Sequence, residues 1–105
     1  MAAALENTLN KFRNAIATIY GDNLDCIVLF GSRARGDNTP ESDYDIAVFL
    51  KSMPDRWSEI DRLSPLRLAL LEQDAVFFDV MPYKAEDYDK RTGLMYAIRT
   101  EGVPL

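Results

Sequence analysis

The sequence predicts an α+β domain: a small mixed β-sheet with helices packed mainly on one face. Three observations predict it. The first twenty residues carry a helical periodicity, three later runs are short, apolar and strand-like, and the elements follow the order helix, strand, strand, helix, strand, helix. At 105 residues the chain reads as one small domain, 1–105, large enough for a core but too small for two lobes around a deep cleft. A second substrate-binding surface is therefore expected to come from another chain.

Leu5, Leu9, Phe12, Ile16 and Ile19 recur at three- and four-residue steps, which predicts an amphipathic helix over 3–20 capped by Gly21. Asp25 to Phe30 is apolar and partly β-branched, so it reads as a buried strand ended by Gly31. The polar run Asp37-Asn38-Thr39-Pro40-Glu41-Ser42 must be a loop. A second strand from about Asp43 to Leu50 puts Tyr44, Ile46, Val48 and Leu50 on one face and Asp43, Asp45, Ala47 and Phe49 on the other. Residues 55–72 read as helical, with Trp57, Ile60, Leu63, Leu66, Leu70 and Leu71 as the buried stripe. Pro65 predicts a break there, with Ser64 capping a second helix, because a proline inside a helix costs about 3 kcal/mol. Ala75 to Met81 is the third strand, closed by Pro82. A helical turn over 85–89 and a helix over 93–101, stopped by Gly102, complete the reading.

The net charge of -5 and the pI of about 4.6 give no broad positive field for a nucleic-acid backbone, so direct nucleic-acid binding is not expected and a neutral or basic partner is. No stretch is long and apolar enough for a bilayer span and no basic-then-apolar leader opens the chain, so a cytoplasmic protein without membrane attachment is expected. The single Cys26 lies inside an apolar run and reads as a buried structural thiol in a reducing compartment. Histidine is absent, which removes Ser-His, Cys-His and His-metal chemistry together. Carboxylates, hydroxyls, arginines and a hard metal are what remain.

Three features could use them. Gly31-Ser32-Arg33-Ala34-Arg35-Gly36 follows a strand directly, with a glycine where the backbone must turn, and Ser32 begins a helical turn whose free N–H groups favour phosphate. Arg33 and Arg35 add cationic forks, although they point to different sides of the turn; a plain strand-to-helix turn with surface arginines would share this sequence. Asp43 and Asp45 share one face of a strand at a Cα separation of about 6 to 7 Å, close enough to share a hard cation. A solvated acidic strand entrance is the alternative. Asp79 is the third acid, set among Phe77, Phe78, Val80 and Met81 in a strand that reads as central, where a carboxylate needs either a metal or an ion pair with Arg33, Arg35 or Lys84.

Taken together, Gly31-Ser32-Arg33-Ala34-Arg35-Gly36, Ser42-Asp43-Tyr44-Asp45 and the lone Asp79 in a later strand resemble the polymerase-beta-like nucleotidyltransferase superfamily, and within it the minimal nucleotidyltransferase family. Members of that family are single small domains often encoded beside a helical HEPN-domain toxin. The resemblance runs from the leading helix to Glu101-Gly102-Val103 and implies the nucleotidyltransferase (polymerase-beta-like) fold. It implies that Ser32, with the backbone at Gly31, holds the β- and γ-phosphates of ATP. Asp43 and Asp45 would hold two Mg²⁺ ions, Asp79 would complete the metal site and help to deprotonate the acceptor hydroxyl, and Arg33 or Arg35 would add charge compensation.

The acceptor is what the resemblance leaves open. An antitoxin that transfers AMP to a tyrosine of a HEPN toxin suits a chain without an acceptor-binding lobe. A small-molecule transferase of the antibiotic type would need an extra helical domain from a partner. A non-catalytic module that masks its partner is the reading from a different class, and Trp57 or Tyr96, if exposed, would mark the contact surface. A tailing polymerase fits poorly with the acidity and the size.

Overall fold

The computed structural model describes the backbone of residues 3–105 and side chains from Glu6 onward. The leading helix α1 (Ala3–Tyr20) buries Leu9, Phe12 and Ile16 and half-buries Ile19, as its periodicity requires; the side chain of Leu5 lies outside the described residues. Gly21, at φ 53, ends it in a left-handed conformation open to glycine at little steric cost, and a single 3₁₀ turn leads into the sheet.

Strand β1 (Leu24–Phe30) pairs antiparallel with β2 (Tyr44–Leu50), with a register shift between Leu24 and Cys26. Strand β2 runs parallel to β3 (Phe78–Lys84), and a two-residue strand β4 (Val103–Pro104) pairs antiparallel with β1. The sheet is thus mixed, in the order β3-β2-β1-β4. A parallel pair needs a crossover, and the long helix α3 (Arg56–Asp74) supplies it. The single-turn helix α2 (Ser32–Arg35) sits between β1 and β2, and α4 (Gly93–Glu101) precedes β4.

The two long helices, α1 and α3, lie on the same face of the sheet. Phe12, Ile16 and Leu63 from the helices meet Ile46, Val48, Leu50 and Phe78 from the strands, all fully buried, and the Phe12 and Phe78 rings stand edge-to-face at 5.1 Å. Side-chain tethers add to this packing: Thr8 Oγ1 donates to Asp74 at 3.1 Å and Lys11 pairs with Asp74 at 2.7 Å. On the opposite face α4 lays Met95 and Ile98 over Val28, Ala47 and Phe49, and Tyr88, from a 3₁₀ turn over Ala85–Asp89, stands edge-to-face on Phe49 at 5.4 Å.

Several sequence expectations need correction. Pro65 does not break its helix, and Ser64 caps nothing: its hydroxyl donates back to the Ile60 carbonyl at 3.1 Å, inside one continuous helix. The helix survives because Leu63 and Leu70 anchor it on both sides of the proline, while Asp61, whose carbonyl the proline deprives of a donor, is exposed to water. The true N-cap is Asp55, accepting from Trp57 N at 3.1 Å. Trp57 is 74% exposed and Leu71 41%, so neither belongs to the buried stripe. Ala75 is not strand but the left-handed C-cap of α3 at φ 54, and the third strand starts three residues later.

Pro82 does not close that strand either; it lies buried within it. Strand β3 is an edge of the sheet rather than its centre, and an edge tolerates a residue with no N–H to give. Two arginines of α3 reach over this edge: Arg67 Nε donates to the Phe78 carbonyl at 3.1 Å and Arg56 Nε to the Pro82 carbonyl at 3.2 Å. Exposed strand edges recruit other chains, and these donors occupy two of the acceptors that would do so. Cys26 is half-buried rather than buried, and burial, with Asp25 adding to it, pushes its thiol up to about 11. Strand β4 was not expected. No helix among the described residues is long and apolar enough to cross a membrane.

Candidate active site

The sheet register assembles the acids. Phe30 of β1 pairs with Asp45 of β2, and Asp45 with Asp79 of β3, so these three form one row across the sheet on the face that α4 packs against. The next row, Val28, Ala47 and Met81, leads toward α4, whose Met95 and Ile98 cover Val28 and Ala47 but leave the acidic row half-exposed. Asp43 precedes β2 by one residue, on the same side as Asp45 by strand alternation, and is exposed. Strand β3 pairs directly beside β2, and the register brings Asp45 and Asp79 side by side.

Gly31 closes the other side of this row. Its φ of 77 and ψ of -160 lie in a region essentially confined to glycine. A Cβ there would also stand 2.2 Å from Asp45 Oδ2. The missing side chain therefore makes room for a carboxylate as well as for the turn. From Gly31 the chain enters α2, where the amides of Ala34 and Arg35 bond the Gly31 carbonyl and Gly36 N bonds the Ser32 carbonyl. The amides of Ser32 and Arg33, and the Ser32 hydroxyl, have no hydrogen-bond partner among the described residues. They are the donors that a helix start leaves over.

Electrostatics single out Asp45. Partial burial raises its pKa above the ordinary carboxylate value, the negative charges of Asp79 and Asp43 raise it further, and Arg35 offsets a part. Asp79 has a cationic neighbour that sequence reasoning missed: not Arg33, Arg35 or Lys84 but Arg67, whose Nη2 lies 4.0 Å from Asp79 Oδ1. Only the folded edge of β3 brings that pair together. The expense expected of a central buried charge does not arise, because the Asp79 side chain is 45% exposed.

A family model described as nucleotidyltransferase domain matches residues 9–99, which include Gly31, Ser32, Asp43, Asp45 and Asp79. The chain belongs to the nucleotidyltransferase domain family. Two proteins of Methanocaldococcus jannaschii, each provisionally named a protein adenylyltransferase, are similar to this nucleotidyltransferase domain. One is 43% identical over 65% of this chain and 45% of its own length, the other 48% identical over 44% and 46%. The matched region is thus less than half the length of these relatives. Among solved structures, a toxin–antitoxin with AMP-PNP is 25% identical with a TM-score of 0.60, covering 94% of this chain and 70% of that one. A toxin–antitoxin named MntA-HpeT, 23% identical with a TM-score of 0.60 over 90% of this chain and 69% of that one, shares the fold.

In this nucleotidyltransferase domain the two arginines of the turn have different surroundings. Arg33 gives Nε and Nη2 to the Ser42 carbonyl at 3.1 and 2.9 Å and stacks on the Tyr44 ring at 4.5 Å, which turns it toward the loop before β2. Arg35 is exposed and pairs with Asp37 at 3.2 Å and Glu101 at 3.0 Å. Exposed pairs of this kind are weak because water screens them, so Arg35 can exchange partners readily.

The carboxylates Asp43, Asp45 and Asp79 offer oxygen donors, the ligand type a hard cation takes. Among the described residues no three acidic side chains come close enough to hold an ion by themselves, yet Asp45 feels both Asp79 and Asp43. The two facts agree for a cation that takes one or two carboxylates and fills its shell with water and substrate phosphates. Mutual repulsion within a row of carboxylates is what a divalent charge relieves.

Proposed function

We propose that this domain transfers AMP from ATP to a tyrosine hydroxyl of a partner HEPN-domain toxin in a Mg²⁺-dependent reaction, and so acts as its antitoxin. The observation that carries the proposal is the row Asp45–Asp79 set against Gly31, which puts the start of α2, with its unbonded amides, beside paired carboxylates. The relatives named protein adenylyltransferase support a protein acceptor, and the toxin–antitoxin with AMP-PNP supports an adenine nucleotide and a toxin partner. The acidic net charge of -5 argues against a nucleic-acid acceptor.

In this reading Ser32, through its hydroxyl and amide, and Arg33, through its amide alone, receive the outer phosphates at the start of α2. Arg35 leaves its exposed partners to neutralise them further. Asp43, Asp45 and Asp79 would hold Mg²⁺, which supplies charge neutralisation on the pyrophosphate leaving group and lowers the pKa of the attacking hydroxyl. Asp79, on the edge strand, would help to deprotonate the acceptor hydroxyl. The α-phosphorus–oxygen bond to pyrophosphate breaks as the bond to the acceptor oxygen forms.

Radiolabelled ATP, incubated with the domain and its co-expressed partner, should label the partner in Mg²⁺ and not in EDTA. Intact, metal-replete domain with its partner that transfers nothing from any nucleotide would remove the enzymatic claim. A masking antitoxin is the second reading, favoured by the exposed Leu68, Leu71 and Phe77 around a shallow hollow of about 180 Å³ on α3 and the β3 edge. Asp43→Asn with Asp45→Asn separates the two: transfer and neutralisation fall together if chemistry matters, while masking survives.

A further inference from the structure

We propose that Arg33 is a positioning residue that fixes Asp43 from both sides, and so couples the phosphate-facing turn to the metal-facing strand, rather than a contact to the nucleotide through its side chain. The inference rests on the site reading given above. Its guanidinium donates through Nε and Nη2 to the Ser42 carbonyl at 3.1 and 2.9 Å, and Nη2 also approaches the Pro40 carbonyl at 3.4 Å. The Ser42 carbonyl belongs to the peptide that joins Ser42 to Asp43. Two donors on that oxygen set the plane from which the Asp43 side chain springs. On the other flank of Asp43, the Tyr44 ring lies under the guanidinium at 4.5 Å and is itself held edge-to-face by Phe78 at 5.4 Å.

The other holds on this segment from outside lie at its start, where Gly36 N bonds the Ser32 carbonyl at 2.9 Å and Arg35 pairs with Asp37 at 3.2 Å. Residues 36–43 form no helix or strand, and their internal bonds run between Thr39 and Ser42: Ser42 N to the Thr39 carbonyl at 3.0 Å and Thr39 N to Ser42 Oγ at 2.9 Å. Arg33 is also one residue from Ser32, on the turn itself, so a nucleotide that orders the turn orders Asp43 through the same side chain. A lysine cannot substitute, because a point charge lacks the planar fork and the flat face that the carbonyl and the ring engage. Arg35, held by exposed carboxylates, is the arginine free to meet phosphate.

Three measurements on wild type, Arg33→Gln and Arg33→Lys test this. Hydrogen exchange reads the grip on residues 37–43, electron paramagnetic resonance reads Mn²⁺ binding in the presence of AMP-PNP, and calorimetry reads AMP-PNP binding without metal. Both variants should exchange faster at 37–43 while β1 and α3 keep their protection. Mn²⁺ should bind about tenfold more weakly to both, the usual cost of losing a residue that orients a metal ligand. Metal-free AMP-PNP affinity should be the same in the lysine and glutamine variants, because the retained charge of lysine contributes no phosphate contact.

Unchanged exchange at 37–43, or wild-type Mn²⁺ binding by the lysine variant, would overturn the proposal. So would a loss of metal-free AMP-PNP affinity in the glutamine variant that lysine restores, since that is the signature of a phosphate contact. If Arg33→Gln does not fold, the lysine variant carries the same comparison. Wild-type protein that binds neither Mn²⁺ nor AMP-PNP would instead remove the proposed function, and the exchange data alone would then decide whether Arg33 grips the loop.

Discussion

The two faces of the sheet differ in what covers them. Under α1 and α3 the strands present Ile46, Val48, Leu50 and Phe78, none with measurable exposure, against Phe12, Ile16 and Leu63. On the other face α4 covers Val28, Ala47 and Phe49, and the sheet then runs out from beneath it into Phe30, Asp45 and Asp79. The sealed face is where apolar burial outweighs chain entropy. The partly open face carries Asp45, whose charged form is disfavoured by burial and, after that, by the charges of Asp79 and Asp43. The larger core and the acidic row thus occupy opposite sides of the same three strands, and substitutions on the two sides should behave differently.

Asp45→Asn should produce the largest effect and split it in sign. Transfer should fall on the order of 10³-fold, as when a preorganised charge-stabilising group is lost, while the folded protein becomes more stable at neutral pH. Because the folded pKa of Asp45 lies above its unfolded value, the native state holds the proton through the window between them. Stability therefore falls as pH rises through that window, and the penalty is complete above it. Asparagine carries no such penalty, so its advantage over wild type in thermal melts should vanish once the pH drops below the ordinary carboxylate range. A variant less stable than wild type at pH 7 would contradict this account of the acidic row.

Phe12→Ala strikes the sealed face. It should cost about 3 to 5 kcal/mol of unfolding free energy in denaturant titrations, and at temperatures where the variant stays folded it should leave AMP-PNP binding at the wild-type level. A change in nucleotide affinity without loss of stability would mean that the faces are not separate.

Legibility in the sequence followed the same division. The alternation of β2 placed Asp43 and Asp45 on one face, and the helical repeat of α1 identified Leu9, Phe12 and Ile16, because both signals are local. What failed depended on neighbours. Pro65 reads as a break until Leu63 and Leu70 hold the helix across it, and Pro82 reads as a stop until β3 proves to be an edge. Trp57 fits the helical stripe by spacing alone, yet sits 74% exposed. The partners of Arg33 and Arg67 likewise arise from folding: carbonyls and a carboxylate leave no mark in sequence that an arginine several residues away will meet them.

A smaller and sharper contrast separates the two glycines that bound the turn. Gly31→Ala meets both a glycine-only conformation and the Asp45 carboxylate, and should cost about 1 to 3 kcal/mol together with most of the transfer activity. Gly36→Ala meets open space at φ 87, so only left-handed strain remains, about 1 kcal/mol, with activity largely kept. Equal losses of activity in the two variants would show that the Gly31–Asp45 contact has no special role.

The central claim is that Asp43, Asp45 and Asp79 meet a divalent cation and a triphosphate in front of Gly31 and Ser32. Anomalous diffraction from crystals grown with Mn²⁺ and AMP-PNP tests it directly. A manganese peak bridging the carboxylate row and the phosphates, with the terminal phosphate against the amides of Ser32 and Arg33, is the predicted result. A triphosphate bound away from the turn, or manganese absent from all three aspartates, would contradict it.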